Sequence, residues 1–216
     1  PRDIYEENAE LKRVLDAIRD GAFSAGEPSR YQGIYDALVN WGDHYLLLAD
    51  YASYVAKQAE VDALYQLSAA GVRVPRPHGY FNGVLVMELV TDSEGHSAPR
   101  LGEVELDAQT AREYFVFLVR QVVRMLCVGM IHGDLSEYNV LVDAHGPVII
   151  DLPQAVSAAG NNHARTMLLR DVNKLRSALA FFAPELDMLH YGEEMWALFE
   201  AGELQPETVL TGRFDF

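Results

Sequence analysis

Apolar residues recur every three or four positions over residues 1–70, which is the periodicity of amphipathic helices. Two short helices are predicted on this pattern, around Leu11, Val14, Leu15 and Ile18 and around Tyr31, Ile34, Tyr35, Leu38 and Val39. A third helix is predicted from about Tyr45 to Ala70, because Gly71 stands where a glycine commonly ends a helix.

The pattern changes after residue 77. Asn82-Gly83 separates two apolar runs, and this dipeptide favours the tight turn of a β-hairpin. The later apolar positions predict a long helix, two short strands and two further helices, over about 107–128, 140–142, 148–150, 162–183 and 185–200. The expected fold class is therefore α+β and mostly helical.

Composition narrows the function classes. The 216 residues are 50% hydrophobic, with 17 basic and 32 acidic side chains and a formal net charge of −15. This acidity argues against direct nucleic-acid binding, which requires a basic face. The sequence has no run of eighteen apolar residues, so a membrane partner is not expected. The single cysteine, Cys127, excludes a disulfide framework and favours a cytoplasmic location.

Three polar residues supply the kinds of group that phosphoryl transfer requires, a carboxylate base and oxygen ligands for magnesium. Asp134 and Asn139 stand on one short predicted loop, and Asp151 follows the next pair of predicted strands. A loop, a hairpin and a second loop would bring the three side chains to one cleft edge. Asp134 would then act as the base, with Asn139 and Asp151 as magnesium ligands. The alternative is that they are turn-forming residues that flank a hairpin.

The residues around this triplet resemble the catalytic lobe of RIO-type protein kinases. The matching strings are Ile131-His132-Gly133-Asp134-Leu135-Ser136-Glu137-Tyr138-Asn139-Val140-Leu141, Ile149-Ile150-Asp151-Leu152-Pro153-Gln154-Ala155-Val156 and Arg170-Asp171-Val172-Asn173. The resemblance covers about residues 60–185 and implies a partial protein-kinase-like fold, the carboxy-terminal lobe, preceded by a helical segment. It also implies ATP and Mg²⁺ as cofactors.

The same resemblance assigns roles to individual residues. Asp134 is implied as the catalytic base, and Asn139 and Asp151 as the metal ligands. Glu88 and its neighbours, Val90 included, are implied as the hinge that meets adenine. Glu60 is implied as the helix glutamate that pairs with the ATP-binding lysine, although a solvated helix charge explains it equally well.

Residues 1–65 show a second resemblance, to the carboxy-terminal region of glycogen (α-glucan) phosphorylases. The matching strings are Pro1-Arg2-Asp3-Ile4-Tyr5-Glu6-Glu7-Asn8, Gly42-Asp43-His44-Tyr45 and Gln58-Ala59-Glu60-Val61-Asp62-Ala63-Leu64-Tyr65. Two domains are therefore expected, a helical segment over 1–67 and a RIO-kinase-like lobe over 68–216. The glycine-rich loop and strand lysine of a kinase amino-terminal lobe are not recognisable, because Lys57 lies within a predicted helix.

These features support one main function and three alternatives. The main hypothesis is an ATP- and magnesium-dependent serine/threonine kinase that acts on a protein substrate or on itself, with weak activity and some self-association as a homo-oligomer. The first alternative is an inactive pseudokinase or binding module. The second is a small-molecule kinase of the aminoglycoside or choline type, which Ser136-Glu137-Tyr138 and Gln154 argue against. A glycogen phosphorylase fragment is the least favoured, because the sequence shows no complete phosphorylase site.

Overall fold

The structure, a computed structural model of the chain, describes residues 51–81 and 84–214. The chain divides into two compact units. The first contains Pro1–Val61 and Pro77–Leu89, and the second contains Asp62–Arg76 and Val90–Phe216. Helix α1, Tyr51–Ala69, passes from the first unit into the second. No helix in the described residues has both the length and the apolar character needed to cross a membrane.

The described part of the first unit holds a β-hairpin. Strand β1, Pro77–Phe81, pairs antiparallel with strand β2, Val84–Met87. The register is irregular between Pro77 and Gly79, as expected where a proline that lacks an N–H begins a strand. The predicted hairpin is confirmed in these strands, while its Asn82-Gly83 turn lies outside the described residues.

Three helices form the main body of the second unit. Helix α2 spans Ala108–Cys127, helix α3 spans Ala164–Ala180 and helix α4 spans Tyr191–Glu200. Helix α2 begins where Asp107 accepts a hydrogen bond from Thr110 N at 2.8 Å, the usual role of an N-cap aspartate. Both α2 and α4 pack against α3, and the apolar faces of the three helices meet in a core that includes Phe115, Leu118, Leu168, Leu175 and Met195.

Two short antiparallel pairs of strands lie in the same unit. Strand β4, Val140–Asp143, pairs with β5, Gly146–Ile149, in register from Val140 opposite Ile149 to Asp143 opposite Gly146. Strand β3, Met130–Ile131, pairs with β6, Val156–Ser157. Strands β3 and β5 pack on helix α2, and all of β5 is buried. This packing fixes the ends of the loop between β3 and β4.

The segment that follows α1 forms hydrogen bonds with both helix α2 and strand β5. Arg73 N donates to Gln121 Oε1 of α2 at 2.8 Å, and Arg73 O accepts from Ile149 N of β5 at 2.9 Å. Gln121 is only 2% exposed, so this hydrogen bond satisfies a polar side chain inside the core. The arrangement joins the end of α1 to the strands that flank the candidate site.

Comparison with the sequence expectations gives agreement on most elements in the described residues. The long helix and the two strands are confirmed within a few residues of their predicted ends. The third helix is confirmed from Tyr51 to Ala69, while its predicted start near Tyr45 lies outside the described residues. The prediction of one helix over 185–200 is wrong in its first part, because Pro184–Met188 forms a 3₁₀ turn and α4 starts only at Tyr191. Strands β3 and β6 were not predicted, since two residues show no periodicity. The first two predicted helices lie outside the described residues.

Candidate active site

The loop between β3 and β4 carries His132, Gly133, Asp134 and Asn139, and backbone contacts with Ile150 hold it. Ile150 N donates to Asn139 O at 3.0 Å, and Ile150 O lies 3.0 Å from His132 Nε2. Asp134 N lies 3.3 Å from His132 Nδ1, so the His132 ring contacts the backbone through both of its nitrogens. His132 is 2% exposed and therefore acts as an internal brace of this loop.

The carboxylate of Asp134 forms an ion pair with a lysine of helix α3. Lys174 Nζ lies 2.9 Å from Asp134 Oδ1, and the two side chains are 39% and 40% exposed. The hydrogen bond from Lys174 is the largest of the influences that lower the pKa of Asp134; partial burial opposes it, and the charges of Arg170 and His132 add to it. The geometry therefore presents an ionised carboxylate at a surface that solvent reaches.

Helix α3 also forms two hydrogen bonds with the backbone of Gly133. Gly133 N donates to Asp171 Oδ2 at 2.8 Å, while Arg170 Nη2 donates to Gly133 O. Asp171 is 1% exposed, and this burial raises the pKa of its carboxyl against the lowering effect of the Gly133 N–H and nearby positive charges. Gly133 has φ +84°, a conformation that glycine adopts without strain. One turn of α3 thus fixes the backbone on the amino-terminal side of Asp134.

The two candidate metal ligands are brought to the same loop region through Ile150. Asn139 donates its Nδ2 to Asp134 O at 2.9 Å, which leaves Asn139 Oδ1 as the side-chain atom able to ligate a cation. Asp151 directly follows Ile150, is exposed, and has φ +68° in the left-handed region. Non-glycine residues in that region cluster at functional sites, because the surroundings must hold them there.

The donor set fits magnesium. A carboxylate and an amide oxygen are hard ligands, and Mg²⁺ commonly takes one or two carboxylates together with water and phosphate oxygens. Across residues 51–81 and 84–214, no three or more His, Cys, Asp or Glu side chains come together as a metal-binding group. Asn139 and Asp151 therefore suit a magnesium ion whose other ligands are water and the phosphate oxygens of a nucleotide.

The remaining candidate residues fall in both units. Glu60 lies on α1 and Glu88 follows β2, and both belong to the first unit. Val90 belongs to the second unit, where it is buried in a small cluster with Ala98 and Val148. The boundary between the units falls between Leu89 and Val90, inside the segment expected to act as the hinge. The hinge and helix-glutamate roles stay predictions.

Sequence reasoning missed the contribution of helix α3. The string from Arg170 to Asn173 was noticed, but no role was given to Arg170 or Asp171, and Lys174 was not considered. A signal was present, because residues 170, 171 and 174 are one, three and four positions apart and so share one helix face. Which element that face would meet could not be read from spacing alone.

Comparison with known protein families matches residues 48–188 to the RIO domain. The "RIO-type serine/threonine-protein kinase Rio1" of Haloferax volcanii is 44% identical over 110 residues, which cover 50% of this chain and 36% of that protein. The "RIO-type serine/threonine-protein kinase Rio2" of Methanocaldococcus jannaschii is 34% identical over 108 residues, or 49% and 38% of the two chains. The "Serine/threonine-protein kinase RIO1" of Caenorhabditis elegans is 34% identical over 120 residues, or 55% and 23%. The chain spans less than two fifths of each of these relatives.

The second resemblance is also found. Residues 1–74 match the carbohydrate phosphorylase family, so the two matches overlap at 48–74. The "Glycogen phosphorylase" of Pasteurella multocida is 41% identical over 66 residues, which cover 31% of this chain and 8% of that protein. This match covers a small part of a much longer enzyme.

Proposed function

The chain belongs to the RIO kinase family, and from that premise we propose that it transfers the terminal phosphate of ATP to a serine or threonine hydroxyl of a protein substrate or of its own chain. The proposed base is Asp134, and the proposed magnesium ligands are Asn139 and Asp151. The RIO domain match and the kinase names of the relatives support the reaction class.

The observation that carries this proposal is the condition of the Asp134 carboxylate. Lys174 binds Oδ1 at 2.9 Å and lowers the pKa of the carboxyl, so the group is ionised at neutral pH. The second oxygen, Oδ2, is then the one suited to accept the proton of an attacking hydroxyl. A base in phosphoryl transfer mainly orients the nucleophile, which requires a fixed and accessible oxygen.

Magnesium, when bound, would neutralise charge on the phosphates. Asn139 and Asp151 are the proposed ligands, because both supply oxygen donors and both are tied to Ile150 along the backbone. Glu88 and Val90 are proposed to meet adenine through their backbone. Glu60 is proposed as the partner of a nucleotide-binding lysine. This chain's own contribution is thus orientation of the hydroxyl and of the metal-bound phosphates.

A second candidate is a pseudokinase or binding module that keeps the fold and lacks turnover. The sequence favours it in one respect, since the glycine-rich loop and the strand lysine that position phosphates in kinases are not recognisable. Positioning of this kind lowers the reaction barrier substantially. We therefore propose a kinase with weaker nucleotide binding and slower turnover than family members in which both elements are present.

Calorimetric titration with Mg-ATP and a radiolabelled phosphotransfer assay separate the two candidates. If the chain is a kinase, Mg-ATP should bind at millimolar concentration. Labelled phosphate should also be transferred to the chain itself or to a serine-containing protein. Asp134→Asn should abolish transfer and leave Mg-ATP binding intact. The matched control is Asp62→Asn, which alters an exposed aspartate on α1.

Each outcome has one reading. Binding without transfer identifies the binding module, and absence of binding at millimolar nucleotide refutes the kinase. Transfer to a small aminoglycoside or amino alcohol, with none to protein, would replace the proposed substrate class. Equal loss of transfer in Asp62→Asn and Asp134→Asn would mean that Asp134 has no special role.

A further inference from the structure

Helix α3 makes three polar contacts with the loop that holds the proposed base. Arg170 donates to Gly133 O, Asp171 accepts from Gly133 N, and Lys174 reaches Asp134 Oδ1. Residues 170 and 174 are four apart and residues 171 and 174 are three apart, so all three lie on one face of the helix. Two of the contacts fix backbone atoms, whereas the contact from Lys174 fixes the reacting side chain.

Lys174 binds only one of the two Asp134 oxygens. Its Nζ lies 2.9 Å from Oδ1, a distance typical of a charge-assisted hydrogen bond. Rotation of the carboxylate about its terminal bond would break this hydrogen bond. The ion pair therefore selects one orientation of the carboxylate, in which Oδ2 is left for another partner.

The ion pair lies at a surface that a substrate can reach. Lys174 lines an open groove of about 640 Å³, whose other lining residues are Glu137, Arg170, Asn173, Ser177 and Ala178. Both partners of the ion pair keep about two fifths of their side-chain surface exposed. An ion pair this exposed adds little to folding stability, because water screens it and ordering two flexible side chains costs entropy. A contribution to the orientation of Asp134 explains its position better than a contribution to stability does.

We propose that Lys174 is a positioning residue for phosphoryl transfer, holding Asp134 through Oδ1 so that Oδ2 faces the acceptor hydroxyl. The inference rests on the proposed function of Asp134. Lysine is suited to this task, because a compact ammonium on a flexible stem can reach one carboxylate oxygen from the next helix. The loop over residues 132–139 contains no lysine or arginine, and Lys174 of α3 supplies a cation at Asp134 Oδ1.

The test compares Lys174→Met, Lys174→Arg and a charge-matched control, Arg165→Met. Arg165 is an exposed residue in the first turn of α3 and is outside the groove. Lys174→Met should lower kcat by about 10- to 100-fold, the scale reported when a reacting group is slightly misplaced, with little change in the KM for ATP. Lys174→Arg should restore most of kcat, since it keeps a positive donor. Arg165→Met should match the unaltered protein.

A second measurement does not depend on turnover. The chain's other lysines are Lys12 and Lys57, so ¹H–¹⁵N correlation of the lysine ammonium groups can follow Lys174 in isolation. The ion pair should slow the exchange of the Lys174 ammonium protons with water, and Asp134→Asn should remove this protection. Arg165→Met should leave it unchanged.

Three results would overturn the inference. The first is full kcat in Lys174→Met, and the second is a loss of kcat that Lys174→Arg does not restore. The third is an ammonium signal that Asp134→Asn leaves unaltered. If the unaltered protein transfers no phosphate at all, the proposed function fails, and the catalytic role of Lys174 fails with it even where the ammonium signal reports an ion pair. A protein that transfers phosphate while Lys174→Met behaves like Arg165→Met refutes only the inference.

Discussion

Substitution of Gly133 by alanine tests the geometry of the catalytic loop most directly. A Cβ built at this position lies 2.5 Å from Gln154 O and 2.9 Å from Met167 Cε. The methionine end can move, but the carbonyl belongs to the backbone next to β6 and cannot move without shifting that segment. The φ of +84° adds a second cost, since L-residues with a side chain rarely adopt it.

Gly129 provides a matched control with only one of these two costs. Its φ is +76°, and a Cβ there meets no atom within 4 Å. Alanine in a left-handed conformation costs about 1–2 kcal/mol, which we expect in full for Gly129→Ala. Gly133→Ala should lose that amount plus about 1–3 kcal/mol for overpacking against Gln154 O. The expected total is about 2–5 kcal/mol.

Thermal unfolding followed by circular dichroism measures the difference. One kcal/mol shifts the melting temperature of a domain of 150–250 residues by about 2–4 °C, so Gly133→Ala should melt well below Gly129→Ala. It should also lower kcat more, because Gly133 accepts a hydrogen bond from Arg170 and donates one to Asp171, and these two contacts fix the backbone just before the proposed base. Equal melting temperatures for the two variants would refute the close approach of Gln154 O to Gly133.

Three further predictions follow from the same structure. Asp151→Asn should weaken Mg²⁺ and nucleotide binding together in calorimetry without unfolding the protein, because asparagine tolerates the left-handed backbone and only ligand charge is lost; unchanged affinity would contradict the assigned ligand. Phe115→Ala should lower the free energy of unfolding by about 3–5 kcal/mol in urea, since Phe115 is 0% exposed, whereas Val116→Ala at 38% exposure should change it by less than about 0.5 kcal/mol. Burial raises the pKa of Asp171, so its stabilising effect is complete below the ordinary aspartate pKa of about 3.9 and is lost as the pH rises through the raised value. Asp171→Asn can still accept from Gly133 N and cannot ionise, so urea unfolding should show its stability rising relative to the unaltered protein as the pH is raised above about 3.9; a difference that does not change with pH would refute the raised pKa.

Several elements of the fold could be predicted because their signals are local. Asp107 caps helix α2 where the apolar periodicity begins, and Gly71 follows the last turn of α1. The prediction of one helix over 185–200 failed in its first part, where the local signal was misleading. Pro184 suits the first turn of a helix, but the chain from Pro184 to Met188 forms a 3₁₀ turn and the α-helix begins later.

The candidate site also has one part that the sequence predicted and another part that it did not. The spacing of Asp134, Asn139 and Asp151 predicted one loop region. In the structure, Asn139 Nδ2 donates to Asp134 O, and Asn139 O accepts from Ile150 N, the residue directly before Asp151. The roles assigned to Glu60 and Glu88 depend on the first unit and stay predictions. Nothing in the local sequence indicated that β3 and β6 would pair, although this pairing holds both ends of the site.

The sequence by itself determined which chemical groups are available and in what order, since the string from His132 to Asn139 and the later Asp151 follow directly from it. Only the tertiary structure decided that Lys174, forty residues after Asp134, would bind its carboxylate. The physical reason is that periodicity reports which face of α3 is polar, whereas the packing of α3 against α2 and β3 determines what that face meets. The lowering of the pKa of Asp134 and the contact at its Oδ1 therefore depend on the packed helix and not on the loop that carries the residue.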